Sequence, residues 1–226
     1  MPSVEPVLAA RGVSRRFGYR YAIRDVSFEL AGGDFLLLIG HNGAGKTTLF
    51  RLLAGLLKPT AGTVVRSGRL GAVAHHSMLY DSLTARENLT FFGRLHGTND
   101  APACGELLER LGLAEHADRR VADFSRGMVQ RLAIARALLA DPQVLLLDEP
   151  LSGLDDAAAN TVCDVLAELG AGRRVVVAAT HQIGDLLDLA TAVGSLVAGR
   201  LASVEPAAGR DAALVKSQYR NLLQDA

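Results

Sequence analysis

The chain has 226 residues, of which 49% are hydrophobic and 21% charged, with 24 basic and 24 acidic side chains. Such a composition supports a sizeable core and excludes a disordered chain. The balanced charge gives no electrostatic footprint for general nucleic-acid binding, so no nucleic-acid partner is expected.

Residues 4–30 alternate apolar and polar positions around the turn FGYRYA, which predicts short antiparallel strands. The N-terminus lacks a positive-then-apolar signal pattern. The turn AGGD leads into a buried strand, Phe35 to Ile39. A glycine loop follows, and then Leu49, Phe50, Leu52, Leu53, Leu56 and Leu57 line a helix predicted to stop at Lys58–Pro59. The longest apolar runs, such as FLLLIG, are strand-sized. A membrane span needs about 20 apolar residues, so the chain is not expected to cross a bilayer itself.

The loop carries chemistry. Gly40 and Gly45 stand five apart and precede Lys46 and Thr47, the full strand–GxxxxGK[ST]–helix pattern. Phosphate oxygens need several donors converging on one point. Glycine permits the tight bend that lets amides from Asn42, Gly43, Ala44, Gly45, Lys46, Thr47 and Thr48 wrap a phosphate. The following helix adds the positive end of its dipole. Lys46 supplies a charge for the outer phosphates, and the Thr47 hydroxyl can ligate Mg²⁺. The plain alternative is a glycine-rich turn with a surface lysine.

From 84 to 142 the segments TARENLTFFGRLHG, GELLERLGLAEHA and RGMVQRLAIARALLA read as amphipathic helices, with Met128, Leu132, Ala135 and Leu139 on one face of the last. Cys104 and Cys163 have no metal-ligand spacing and read as thiols in a reducing compartment. The runs VLLLDEP and RRVVVAATH give two more aliphatic strands with a helix between them. Alternating buried strands and helices define an α/β fold with a parallel sheet covered on both faces. GSLVAGRLASVE reads as a closing hairpin, and a terminal helix from Asp211 carries no legible chemistry.

VLLLDEP supplies what the cradle lacks. Asp148 ends its strand at the sheet rim, where Mg²⁺ needs a ligand. Glu149 can accept a proton from an attacking water. His181, after the next strand, can reach the terminal phosphate and that water; alone it would read as structural.

The ordered set GHNGAGKTT, FSRGMVQR, VLLLDEP, SGLD and ATH, within residues 17–181, resembles the ATP-binding subunits of ABC transporters. The resemblance implies a P-loop NTPase core with an N-terminal antiparallel β subdomain and an inserted α-helical subdomain. The expected division is one domain over 1–226. Its core with the β subdomain lies at 1–83 and 143–210, its helical part at 84–142 and its C-terminal helix at 211–226. It also implies ATP and Mg²⁺ as ligands. Phe17 falls where the family places an aromatic on adenine. Ser125 and Gly127 fall in the signature that closes over the ATP of a second copy, although a Ser before a helix is also simply a cap. Asp155 falls in the loop along the dimer interface.

The chain departs from the family pattern in two respects: Arg126 and Met128 replace Gly and Gln of the signature, and the usual glutamine after the next strand falls on His75 or His76. Within the family, residues 75–97 are most similar to the heme exporter ATPase of the cytochrome c maturation system. The partners so implied are a second copy, or a related ATPase subunit, and an integral membrane permease, with the chain peripheral on the cytoplasmic face of the membrane. Leu79, Tyr80, Phe91 and Phe92 are candidates for the groove that receives the permease; for Phe91 and Phe92 packing inside the helical part is the alternative. A different exporter, multidrug or ABC-2 type, or an ATPase acting on nucleic acid or ribosomes, are the other readings.

Overall fold

The computed structural model describes residues 5–74, 77–97, 101–170, 172–181 and 183–224. Strands β1 (Leu8–Phe17) and β2 (Arg20–Leu30) form the expected hairpin, pairing from Leu8↔Leu30 to Phe17↔Arg20. Strand β3 (Phe35–Ile39) is buried throughout and leads into helix α1 (Lys46–Leu53). The helix ends earlier than its leucines suggest. Gly55 adopts φ +74°, and the amides of Leu56 and Gly55 close on the carbonyls of Arg51 and Leu52. That pair of bonds is the Schellman stop, which ends the helix before Leu56 and Leu57. Strand β4 (Ala61–Arg66) then returns to pair with β1, giving a three-stranded antiparallel sheet of order β2-β1-β4.

Strand β5 (Leu70–Val73) opens the second sheet. Helix α2 (Ala85–Leu95) starts at a capping box, with the Thr84 hydroxyl on the Glu87 amide and the Glu87 carboxylate on the Thr84 amide. Helix α3 (Ala101–Arg110) is shorter than its sequence pattern, because Gly112 turns the chain at φ +63°. Helix α4 (Arg126–Leu138) then leads to β6 (Val144–Asp148), α5 (Asp156–Gly170), β7 (Val175–Thr180), a short α6 (Leu186–Leu189), β8 (Ala192–Val197), β9 (Arg200–Pro206) and α7 (Ala212–Gln224).

The second sheet runs β5-β6-β7-β3-β8-β9, parallel except for β9. Thus β8 and β9 form the expected hairpin, and β8 also joins the parallel core. Side chains alternate along β3: Phe35, Leu37 and Ile39 meet the α2–α5 layer, whereas Leu36 and Leu38 meet α1 and the antiparallel sheet. Each buried Leu or Phe contributes roughly 1.5–3 kcal/mol. The consequence is positional: β3, β6 and β7 all end at one rim, held in register as far as Ile39↔Thr180 and Asp148↔Ala179.

Candidate functional site

The chain turns between β3 and α1 through a loop that glycine makes possible. Gly45 sits at φ +108°, and a Cβ there would lie 2.6 Å from the Ala22 carbonyl oxygen and 2.9 Å from Ile23 Cδ1. Ala44 is fully buried; its amide donates to the His41 carbonyl at 3.1 Å and its carbonyl accepts from the Gly199 amide at 2.9 Å. The loop is therefore pinned at its middle. Among the described residues, the amides of Gly43, Gly45, Lys46, Thr47 and Thr48 have no partner within the protein. Five free donors at a loop and a helix start make an anion site.

Lys46 is 7% exposed. Its ammonium donates to the Gly40 carbonyl at 2.6 Å and to that of His41 at 3.4 Å, and lies 4.0 Å from Glu149 Oε1. Burial pushes its pKa down, against the pull of Glu149 and Asp148.

Asp148, buried at the end of β6, accepts the Thr47 hydroxyl at 3.2 Å. Adjacent oxygens around an octahedral Mg²⁺ stand about 3.0 Å apart, from bonds of 2.0–2.1 Å, so this hydroxyl and carboxylate fit that ion. Glu149 takes φ +53°, rare for a residue with a side chain. Its amide extends the β6–β7 pairing by donating to the Ala179 carbonyl at 2.8 Å. Its carboxylate accepts from the Thr180 hydroxyl at 2.9 Å and the His181 amide at 3.1 Å, with His181 Nδ1 2.8 Å away. A carboxylate held by two donors, and by the His181 ring as a third when Nδ1 carries the proton, is oriented and, being partly exposed, remains open to water.

These groups share one cleft of about 1140 Å³. Asn42, Gly43, Gly45, Thr47 and Thr48 line it with Lys46, and Asp148, Glu149 and His181 face them. Phe17 also lines it, 51% exposed, with the Arg15 guanidinium 4.7 Å from its ring centroid. Gly40 and Ala44 support the loop from behind.

Ser125, Gly127 and Asp155 lie outside the lining of this cleft. The Ser125 hydroxyl caps α4 by accepting from the Met128 amide at 3.2 Å, and Asp155 caps α5 by accepting from the Ala158 amide at 2.8 Å. Gly127 packs on Leu154, whose Cδ2 would be 3.3 Å from a Cβ there. His75 and His76 lie outside the described residues. In the candidate groove, Leu79 and Phe92 pack against the core, and Arg136 lies 5.2 Å from the Phe92 centroid. Tyr80 (49% exposed) and Phe91 (42%) remain at the surface in edge contact, their centroids 5.1 Å apart.

The sequence marks Arg126 as a departure from the signature without placing it in the cleft, and it gives Tyr219 no role. The Arg126 guanidinium lines the cleft and donates to the Ser152 hydroxyl at 3.1 Å; the charged side chain at a usual glycine position was the available signal. Tyr219, on α7, accepts the His41 amide at 2.7 Å, and nothing in its neighbourhood announced it.

A lysine-bearing anion loop between a parallel strand and a helix, with carboxylates at the end of a neighbouring strand, defines a P-loop ATPase. Comparison narrows the class. The ABC transporter family profile matches residues 23–152. The chain is 35% identical over 196 residues to the ABC transporter ATP-binding protein NatA of Bacillus subtilis (strain 168), covering 80% of each. It is 35% identical over 232 residues to Nod factor export ATP-binding protein I of Rhizobium johnstonii, covering 96% of this chain and 73% of that one. A dimeric structure of a bacterial ABC transporter cassette matches with a TM-score of 0.79 at 26% identity, over 90% of this chain and 100% of that one. The chain belongs to the ABC transporter family, whose ATP-binding subunits hydrolyse ATP to power transport. Among the described residues, no helix is long and apolar enough to cross a membrane.

Proposed function

We propose that this chain is the ATP-hydrolysing motor of an exporter, pairing with a second copy around two MgATP and driving a separate membrane subunit. One observation carries the reading: unpartnered loop amides, a buried ammonium and two strand-end carboxylates face a single cleft. Amides of Gly43, Gly45, Lys46, Thr47 and Thr48 grip the phosphates, and Lys46 leaves the Gly40 carbonyl for the β and γ oxygens. Phe17 stacks on adenine. Thr47 and Asp148 hold Mg²⁺, which supplies Lewis-acid polarisation of the phosphate oxygens. Glu149 accepts the proton of the water that attacks the γ-phosphorus, while the bond to the β–γ bridging oxygen breaks and leaves ADP. His181 orients Glu149 and that water.

Ser125 and Gly127 complete the site of the opposite copy, and Asp155 lies along the interface. The dimeric state of the related cassette supports this pairing. The division of the chain into a core at 1–83 and 143–210, a helical part at 84–142 and a C-terminal helix at 211–226 belongs to the same proposal. The helical part passes movement to the permease through Tyr80 and Phe91, with the chain peripheral on the cytoplasmic membrane face.

A relative that serves Nod factor export supports the export direction. Heme export is a narrower version, supported by the likeness of residues 75–97 alone. The test is affinity purification from detergent-solubilised membranes with ATPase assays of the product. The expected result is a polytopic permease of about six spans, of the kind the heme reading requires or of another exporter class, that raises ATP turnover. A ribosomal or DNA partner in its place overturns the reading.

A further inference from the structure

The last helix reaches the phosphate loop. Val215 of α7 is 2% exposed and fixes the helix to the core. One turn on, the Tyr219 hydroxyl accepts from the His41 amide at 2.7 Å and donates to the Leu196 carbonyl at 3.3 Å. Burial pushes the phenol pKa up, against the pull of the His41 amide, so the hydroxyl keeps the proton it donates.

The position of this bridge follows from the sheet. The last β3–β8 rung is Ile39↔Ser195, and Gly40 lies just beyond it. A Cβ on Gly40 would stand 3.0 Å from the Leu196 carbonyl oxygen, so glycine permits this close approach. The hydroxyl joins the two strands just past the point where their own ladder stops.

The bonded amide has a second significance. The His41 N–H and the Gly40 C=O belong to one planar peptide unit. Tyr219 holds the N–H end, and the Lys46 ammonium holds the C=O end at 2.6 Å. When Lys46 turns to an anion, the hydroxyl is the partner that plane keeps among the described residues. The His41 carbonyl, in the next peptide unit, accepts from the Ala44 amide at 3.1 Å, so the turn starts directly after the fixed plane.

We propose that Tyr219 is a positioning residue for nucleotide binding: its hydroxyl fixes the 40–41 peptide, so that Lys46 can exchange partners without the cradle losing its shape. This rests on the loop being the ATP cradle. The C-terminal helix thereby becomes part of the nucleotide site without touching nucleotide.

The experiment compares wild type with Tyr219→Phe, which keeps the ring and removes the hydroxyl. A net hydrogen bond of about 0.5–1.5 kcal/mol corresponds to roughly a two- to twelvefold change. The KM for ATP and the Kd for ADP should rise by that factor, with kcat within about twofold, because Tyr219 is outside the lining of the cleft and acts only through the loop. A wild-type KM in the variant, or a fall in kcat at unchanged KM, overturns the proposal. Hydrogen exchange gives a second readout on wild type alone: a slowly exchanging His41 amide is expected, and a fully unprotected one overturns the bond. Absence of ATP turnover in the wild type would instead sink the cradle reading, and this inference with it.

Discussion

Replacing Glu149 by Gln separates the chemistry of the carboxylate from its structural work. In the folded chain its oxygens accept from the Thr180 hydroxyl, the His181 amide and, with Nδ1 protonated, the His181 ring. A glutamine carbonyl can take both His181 donors, and the Thr180 hydroxyl can turn to accept from the new NH₂. The number of hydrogen bonds is preserved. The negative charge 4.0 Å from Lys46 is lost, but Asp148 still pulls on that ammonium. The expected change in unfolding free energy is within about 1 kcal/mol. Turnover behaves differently, since an amide cannot take the proton of the attacking water. Loss of a general base costs about 10²–10⁴-fold in kcat, or roughly 3–5 kcal/mol of barrier.

ATP binding should survive in this variant, because the amide donors and Lys46 are untouched. At a hundred times Kd, ATP then stabilises by about 2.7 kcal/mol. For a chain of this size that is a rise of about 5–10 °C in melting temperature. The assays are single-turnover phosphate release, thermal melts with and without MgATP, and size-exclusion chromatography with ATP. An ATP-held dimer should accumulate. Phosphate release within tenfold of wild type, or a variant that stays monomeric with saturating ATP, refutes the assignment of Glu149.

Further substitutions test the parts around it. Lys46→Met should abolish ATP turnover. Because burial lowers the folded-state pKa of Lys46 below 10.5, the unfolded chain binds more protons in the window beneath that value. Nucleotide-free wild type should therefore gain stability relative to Lys46→Met as pH rises through the window, and parallel urea curves across it would contradict this. Gly45→Ala must displace the Ala22 carbonyl, whereas a Cβ on Gly43 meets nothing within 4 Å. Both variants carry backbone strain of about 1–2 kcal/mol, and overpacking adds roughly 1–3 kcal/mol to the first alone; equal denaturation midpoints would refute the packing argument. Burial and the carboxylates of Asp185, Asp164 and Asp188 raise the Cys163 thiol from 9.0 to about 11. At pH 8 this cuts its thiolate about a hundredfold, partly offset by greater intrinsic nucleophilicity, so aromatic disulfide reagents should label it about tenfold slower than an unperturbed thiol.

Much of this site is legible in the sequence because its parts are local. Strand, glycine loop and helix are contiguous, and a continuous apolar run marks β3 as covered on both faces. Asp148 and Glu149 are readable because they end another such run. Local reading fails where geometry overrules pattern. Leu56 and Leu57 keep the helical spacing, yet Gly55 has already reversed the chain. Strand β4 has one half-buried residue and five exposed ones, so its sequence carries little period to detect. Tyr219 lies 178 positions from the amide it bonds, and no spacing rule reaches that far. The capping roles of Ser125 and Asp155 follow from chemistry, but their proposed work across a dimer comes only from family likeness.

The folded cleft shows how such a site stays both stable and ready. Each group proposed to meet nucleotide already has a partner of its own: Lys46 the Gly40 carbonyl, Thr47 the Asp148 carboxylate, Glu149 the pair Thr180 and His181. Without these partners, a buried ammonium next to free carboxylates would carry a large desolvation penalty. Binding therefore exchanges contacts rather than adding them, and net affinity is the difference between two satisfied states. The amides of Gly43, Gly45, Lys46, Thr47 and Thr48 are the exception, having no partner among the described residues to give up. They supply the gain that the exchanged side chains cannot, which makes the main chain the principal source of affinity and the side chains the source of chemistry. On that account a change that tilts the loop weakens binding, and a change at Glu149 leaves binding intact while stopping hydrolysis.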